Sequence, residues 1–179
     1  METEKLVIII NGKGGAGKDT LCGFAGEVYE TENVSSIDPI KEIASQHGWN
    51  GEKNEKSRRF LSELKRLFIE FNNLPNDYLL SEHKKFLLGD KKIMFVHIRE
   101  SSQIQLFKER VKNTYPNCRC VTLLVNREGD NESEKVGNDS DDGVNDYQYD
   151  FYYNNILPID EARTDFLKFF NNFILNIQR

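Results

Sequence analysis

The chain has 179 residues, the length of one domain, and at 38% hydrophobic and 30% charged it is too apolar to be disordered. Its net charge of −5 excludes a general attraction to nucleic acid or to an anionic membrane. The three cysteines form no CxxC pair, and the early apolar run at residues 6–10 is too short to span a bilayer. We therefore expect one cytoplasmic domain over residues 1–179.

The first elements predicted along the chain are a strand, a glycine-rich turn and a helix. Residues 5–11 are built around the apolar run at 6–10, which indicates a strand buried on both faces, and a helix with one apolar face is predicted from about Lys18. A second strand is predicted over residues 34–37, and Asp38 and Pro39 then mark the first turn of another helix. This order is typical of a parallel sheet covered by helices.

The middle of the chain is predicted to be helical, and the second half returns to strands. The clearest helix covers residues 55–71, with its phenylalanines and leucines on the buried face and its basic residues, Lys65 among them, elsewhere. Another helix follows Pro75. Further strands, each followed by a helix or a loop, are predicted over residues 92–98, 120–125 and 148–154. The alternation predicts an α/β fold, a five-stranded and mostly parallel sheet with helices on both faces.

The turn between the first strand and the first helix carries the most specific motif. Its spacing is GxxxxGK, in which glycines let main-chain N–H groups converge on phosphate oxygens while the lysine bridges the β- and γ-phosphates. Because the motif follows an apolar strand and precedes an amphipathic helix, it predicts a Walker A phosphate loop that binds ATP or GTP, with Lys18 as a catalytic group. The predicted nucleotide-binding residues are Gly12, Lys13, Gly14, Gly15, Ala16, Gly17, Lys18, Asp19 and Thr20.

Asp19 stands where this motif normally has serine or threonine. The usual hydroxyl ligates Mg²⁺, whereas a carboxylate is a stronger oxygen ligand that also brings negative charge close to the triphosphate. Two arrangements stay open: Asp19 meets the metal, directly or through water, or Thr20 supplies the hydroxyl. Both residues are therefore candidate magnesium ligands.

The motifs resemble those of one group of P-loop kinases. The sequence GKDT at residues 17–20, followed by DPIK at 38–41, is similar to phage-type deoxynucleoside monophosphate kinases and to related phosphomevalonate kinases. VHIRE at 96–100 is similar to the arginine-bearing end of the third strand in that family, and Asn154 and Asn155 match the pattern around its fifth strand. The resemblance covers most of the chain in order, and its most specific part is the phosphate loop.

This resemblance implies a nucleoside monophosphate kinase-like fold and an enzyme that moves the γ-phosphoryl group of ATP or GTP to a small phosphorylated acceptor. A (deoxy)nucleoside monophosphate is the favoured acceptor, and a monomer or a homodimer is expected. By position, Asp38, Lys41 and Arg99 line the acceptor site within or beside a helical region at about residues 39–90. Arg99 is also a candidate catalytic group, because it directly follows a strand whose carboxyl end faces the ligand crevice in open α/β sheets.

Further arginines are candidates for phosphate contacts. Arg58 and Arg59 on the long predicted helix suit phosphate oxygens by the shape of their guanidinium groups, and a solvated helix face is the other interpretation. Arg127, a third candidate catalytic group, begins a lid-like loop at about residues 127–146. Residues 128–143 hold seven acidic side chains and one lysine, so a closing lid, a partner site and disorder all stay open for this segment.

The chain departs from the family pattern at the end of the third strand. No aspartate stands there, so Glu100 or Asp38 is expected to be the acidic group near Mg²⁺, and His97 is expected to be a core or crevice residue. Two other functions stay open. The loop also matches the deviant Walker A signature of ParA- and MinD-type dimeric ATPases, in which Lys13 reaches across a dimer, and a nucleotide-binding module without catalysis is the third hypothesis.

Overall fold

The fold is built on a five-stranded sheet, seen in a computed structural model that describes residues 5–127 and 143–176. The strands lie in the order second, third, first, fourth and fifth, and all four neighbouring pairs are parallel. This confirms the predicted α/β fold, with a sheet that is wholly parallel. In chain order the strands are β1 (Leu6–Asn11), β2 (Thr31–Ser35), β3 (Ile93–His97), β4 (Arg119–Asn126) and β5 (Phe151–Asn154).

Helices cover both faces of the sheet. Side chains alternate along β1, so that Ile8 and Ile10 pack in one apolar cluster while Val7 and Ile9 pack in another on the opposite face. The first cluster includes residues of α1 and α6, and the second includes residues of α4 and α5. The α-helices of the described residues are α1 (Lys18–Gly26), α2 (Asp38–Gln46), α3 (Glu55–Asn72), α4 (Leu74–Leu88), α5 (Ser101–Thr114) and α6 (Ile159–Phe169).

The two edge strands differ from their predicted bounds. β2 begins at Thr31, three residues early, and ends at Ser35, whose N–H donates to the Asp38 carboxylate at 2.7 Å and so starts a turn. β5 begins only at Phe151, because the side chain of the preceding Asp150 bonds to the backbone of β4 instead. Edge strands carry more polar side chains than central ones, so no apolar run marks where they begin.

The prediction for the buried face of α3 is wrong in part. Phe60, Leu67 and Phe71 are 45%, 52% and 82% exposed, whereas Lys65 is only 6% exposed. The helix packs with α2 in a small third apolar cluster, separate from the two clusters that line the sheet. This cluster is too small to cover all the apolar side chains of α3. Lys65 enters the interior because a carboxylate, that of Glu100, lies there to pair with it.

The two regions predicted from the sequence, residues 39–90 and 127–146, fall in connections between strands. Residues 39–90 hold most of α2 and all of α3 and α4, between β2 and β3. The lid-like loop predicted at 127–146 falls mainly on residues 128–142, which lie outside the described residues. Within residues 5–127 and 143–176, no helix combines the length and the apolar character needed to cross a membrane.

Candidate active site

The glycine-rich loop joins the end of β1 to the start of α1, and its path requires glycine. A Cβ atom at Gly12 would lie 2.4 Å from the carbonyl oxygen of Val125, so the loop approaches β4 too closely for any side chain. Gly17 precedes the first residue of α1 with φ 88° in the left-handed region, and a Cβ there would meet the Asn155 amide at 2.5 Å. The two ends of the motif are therefore fixed by packing as well as by backbone conformation.

Lys18 is the first residue of α1, and its side chain turns back along the loop. The ammonium group donates to the carbonyl oxygens of Gly12 at 2.5 Å and Lys13 at 2.9 Å. It thus lies next to the amino end of a helix, where unpaired N–H groups and the helix dipole favour negative charge. A cation and a helix amino terminus at one place suit the phosphate groups of a nucleotide.

Residues from the far end of the chain support this loop. The Asn155 side chain donates to the carbonyl oxygen of Ala16 at 3.0 Å, and its backbone N–H donates to Asn126 at the end of β4. Arg127 follows β4, and its guanidinium group lies 3.4 Å from the carbonyl oxygen of Gly15. The structure therefore brings the predicted Arg127 to the phosphate loop, together with Asn155, whose contact with the loop has no local sequence signal.

His97, at the end of β3, lies between the predicted nucleotide residues and the predicted acceptor residues. Its Nδ1 atom is 3.9 Å from a carboxylate oxygen of Asp19. Burial lowers the pKa of His97, and charges from both predicted sites act on the ring, those of Lys18 and Asp19 from the loop and those of Asp38 and Lys41 from α2. His97 therefore lies between the predicted nucleotide residues and the predicted acceptor residues, and burial favours its neutral form.

Asp19 and Thr20, the candidate magnesium ligands, lie at the surface. Both are exposed, and the Asp19 side chain is 99% exposed. Residues 5–127 and 143–176 contain no cluster of three histidine, cysteine or acidic side chains that could hold a metal by protein ligands alone. Such an open arrangement fits Mg²⁺, which usually takes one or two protein oxygens and completes its shell with phosphates and water.

A partly buried ion pair, which no sequence pattern indicates, joins α3 to the ends of β2 and β3. The Lys65 ammonium group lies 2.7 Å from the Glu100 carboxylate and donates to the Ser36 hydroxyl at 2.8 Å. The Ser36 hydroxyl in turn donates to the carbonyl oxygen of His97 at 3.1 Å. Burial lowers the pKa of Lys65, the Glu100 charge opposes this, and the Arg99 charge adds to it. Because Glu100 directly follows Arg99, the ion pair ties Lys65 to the segment that carries this predicted acceptor residue.

The remaining predicted residues divide into two groups. Arg99 follows β3 and its carbonyl oxygen accepts from the Asn11 side chain at 3.0 Å, which fixes its backbone beside the phosphate loop. Arg58 and Arg59 lie on the exposed face of α3, and Arg59 pairs with Glu63 at 3.0 Å. The structure therefore places Arg99 at the strand ends, while Arg58 and Arg59 occupy the solvated helix face.

Comparison with known proteins identifies the fold. No protein-family model matches the sequence, and no curated protein matches it. A kinase candidate from Chloroflexus aurantiacus aligns over 96% of this chain and 98% of its own, with a TM-score of 0.55 and 11% identity. TT1252 from Thermus thermophilus aligns over 95% and 98%, with a TM-score of 0.51 and 12% identity. An APS kinase from Mycobacterium tuberculosis, in complex with AMPPNP and APS, aligns over 94% and 99%, with a TM-score of 0.48 and 11% identity. The chain shares its overall α/β fold, a parallel sheet covered by helices, with the first two of these structures.

Proposed function

We propose that this chain is a cytoplasmic phosphotransferase that moves the γ-phosphoryl group of ATP or GTP to a small phosphorylated acceptor, with a (deoxy)nucleoside monophosphate as the favoured substrate. The observation that carries the proposal is the position of His97: its Nδ1 atom lies 3.9 Å from the Asp19 carboxylate, and its backbone pairs with Ser35 and Ser36, just before Asp38 begins α2. Lys18 and Asp19 come from the phosphate loop, and Asp38 and Lys41 come from the first turns of α2. A donor phosphate and an acceptor phosphate need such neighbouring sites.

On the nucleotide side, the loop and Lys18 hold the β- and γ-phosphates. Arg127, at the Gly15 carbonyl, extends the positive charge over the loop. Mg²⁺, when bound through Asp19 or Thr20, neutralises charge that develops on the phosphate oxygens. The loop glycines contribute no side chains and leave room for the polyphosphate to approach the backbone.

On the acceptor side, Arg99 binds the acceptor phosphate and directs one of its oxygens to the γ-phosphorus. The bond from this oxygen to phosphorus forms as the bond between phosphorus and the β,γ-bridging oxygen breaks, and the nucleoside diphosphate leaves with that electron pair. The chemistry asks the protein for position and positive charge more than for a base. Asp38 and Lys41 orient the acceptor, and Arg58 and Arg59 remain outer candidates.

The direct test is a transfer assay with the full chain, MgCl₂, ATP or GTP, and a panel of nucleoside and deoxynucleoside monophosphates. We expect at least one monophosphate to become its diphosphate in step with formation of ADP or GDP, as measured by phosphorus NMR. ATP hydrolysis without any acceptor, rising steeply with protein concentration, would instead indicate a dimeric ATPase. Nucleotide binding without turnover would indicate a non-catalytic module. Either result contradicts the proposal.

A further inference from the structure

Asn11, the last residue of β1, has a side chain that joins three parts of the candidate active site. It is fully buried, and its Oδ1 atom accepts from the N–H of Gly12 at 2.8 Å. Its Nδ2 atom donates to the carbonyl oxygen of Arg99 at 3.0 Å and to the hydroxyl of Tyr149 at 2.7 Å. One amide therefore contacts the beginning of the phosphate loop, the backbone of the candidate acceptor arginine and a residue near β5.

Tyr149 continues this network into the chain that returns to the sheet. Only 4% of it is exposed, and its hydroxyl donates to the carbonyl oxygen of Val144 at 2.9 Å. The neighbouring Gly143 accepts from the Ser101 hydroxyl at the start of α5 at 3.1 Å. Residues 143–149 are thus tied to the strand ends at two points, and Tyr149 is the one that reaches the phosphate loop through Asn11.

The directions of these hydrogen bonds leave the amide one orientation. The single proton of the Tyr149 hydroxyl is donated to Val144, so this oxygen accepts from Asn11. If the amide were flipped, its oxygen would face the carbonyl oxygen of Arg99, and the Gly12 N–H would face an amide nitrogen. The Tyr149 hydroxyl therefore helps to hold the Asn11 side chain in the orientation that bonds both Gly12 and Arg99.

We propose that Asn11 and Tyr149 are positioning residues that fix the backbone of Arg99 against the phosphate loop. This inference rests on the proposed function, in which Arg99 holds the acceptor and the loop holds the donor. The network then sets the spacing between the two phosphates without touching either of them. Phosphoryl transfer is sensitive to this spacing, since a misplacement of about 1 Å can cost about 100-fold in rate.

The test is Tyr149→Phe, which removes one hydroxyl and keeps the ring. We expect kcat for acceptor phosphorylation to fall about tenfold, while the Kd of the magnesium nucleotide, measured by calorimetry, stays within about twofold. The matched control is Tyr153→Phe, because Tyr153 is 5% exposed and its hydroxyl donates to Asp165 at 2.9 Å, away from Asn11. The control is expected to lower the Tm to a similar extent and to leave kcat within about twofold.

A second variant, Asn11→Asp, keeps the size of the side chain and the acceptor to Gly12 but replaces the donor to Arg99 with an oxygen. It is expected to lower kcat more than Tyr149→Phe does. Wild-type kcat in both variants, or an equal loss in Tyr153→Phe, would overturn the inference and leave the proposed function standing. Failure of the wild-type protein to phosphorylate any acceptor would refute the proposed function and the inference together.

Discussion

The phosphate loop is one stretch of chain, whereas the acceptor side of the candidate active site is assembled from α2, α3 and the ends of β2 and β3. In the loop, residues 11–20 carry both the backbone path and the charged groups, with Arg127 and Asn155 among the residues that contact it from elsewhere. On the acceptor side, the ion pair of Lys65 and Glu100 joins residues 35 positions apart. The phosphate loop therefore follows from local sequence, whereas the acceptor side forms only once the helices have packed on the sheet.

The two halves also differ in what burial does to their charges. Asp19 is exposed and Lys18 is partly exposed, so these groups exchange their present partners for ligand at little desolvation cost. Lys65 is buried and its partner Glu100 is half-buried, and a buried ion pair often contributes no more stability than apolar side chains of the same size. The pair on the acceptor side is therefore better explained by the need to place α3 and the Arg99–Glu100 segment than by stability alone.

The largest expected effect belongs to the nucleotide side. Lys18→Ala should reduce phosphoryl transfer by a factor of about 100 or more with the fold intact, because one group that stabilises phosphate charge contributes several kcal/mol in a dry site. Transfer rates and circular dichroism of the variant check this, with Lys112→Ala on the exposed surface of α5 as the control. A Lys18→Ala variant with wild-type transfer would contradict the assignment of the loop.

The next effect is on stability and belongs to the acceptor side. Glu100→Ala should lower the free energy of unfolding by about 2 kcal/mol, because it leaves the buried Lys65 ammonium group without its carboxylate. Urea unfolding measures the change. The control is Glu63→Ala, which breaks the exposed pair with Arg59 and should cost less than about 0.5 kcal/mol.

The double variant Lys65→Met/Glu100→Leu sharpens the same comparison. We expect it to regain the stability lost in Glu100→Ala, since an apolar pair of similar volume replaces the ion pair, and yet to phosphorylate the acceptor poorly. Full activity in this stable double variant would show that the ion pair has no role in the acceptor site.

A smaller effect is expected from a change at Arg99, which should alter use of the acceptor but not binding of the nucleotide. Arg99→Ala should raise the KM of the acceptor or lower kcat by about tenfold, the loss expected when a charged hydrogen-bond donor to phosphate is removed. The Kd of the nucleotide should stay unchanged in calorimetry. Arg58→Ala, on the exposed face of α3, is the matched control. An equal loss of nucleotide binding in Arg99→Ala would place this arginine in the nucleotide site instead.

The smallest effect tests the support of the loop. Asn155→Ala removes the hydrogen bond to the Ala16 carbonyl, worth about 1 kcal/mol, and should weaken nucleotide binding by about fivefold. Asn154→Ala is the control, because this neighbouring side chain is exposed and lies 3.4 Å from Asn126. If both variants bind nucleotide equally well, Asn155 does not support the binding conformation.

Much of the fold was predictable because its signals are local. The apolar run of β1 and the glycines of the loop each specify their structure within a few residues, and the structure confirms both elements. The bounds of β2 and β5 were not predictable, because edge strands have polar side chains and take their register from a neighbour. Lys65 was missed for a related reason: a lysine among exposed arginines enters the core only when a distant carboxylate lies opposite it.

The residues of the candidate active site also differ in whether a local sequence signal indicates them. The motif indicated Lys18 and Asp19, and the position after a strand indicated Arg99, since strand ends meet at one edge of a parallel sheet. No local pattern marks Asn11 or Tyr149, because each acts through a hydrogen bond to a residue far along the chain. Asn155 is part of the pattern shared with the similar kinases, but its hydrogen bond to the loop has no local signal. The placement of Arg58 and Arg59 depended on the rotation of α3, which its apolar pattern misrepresents.

The central claim is that the loop around Lys18 binds a nucleoside triphosphate, and a calorimetric titration of the full chain with MgATP and MgGTP tests it most directly. The account predicts saturable binding of one nucleotide per chain, which is lost in Lys18→Ala while the variant keeps its fold. A wild-type protein that gives no binding heat with either magnesium nucleotide, and no rise in Tm at high concentrations of them, would contradict it.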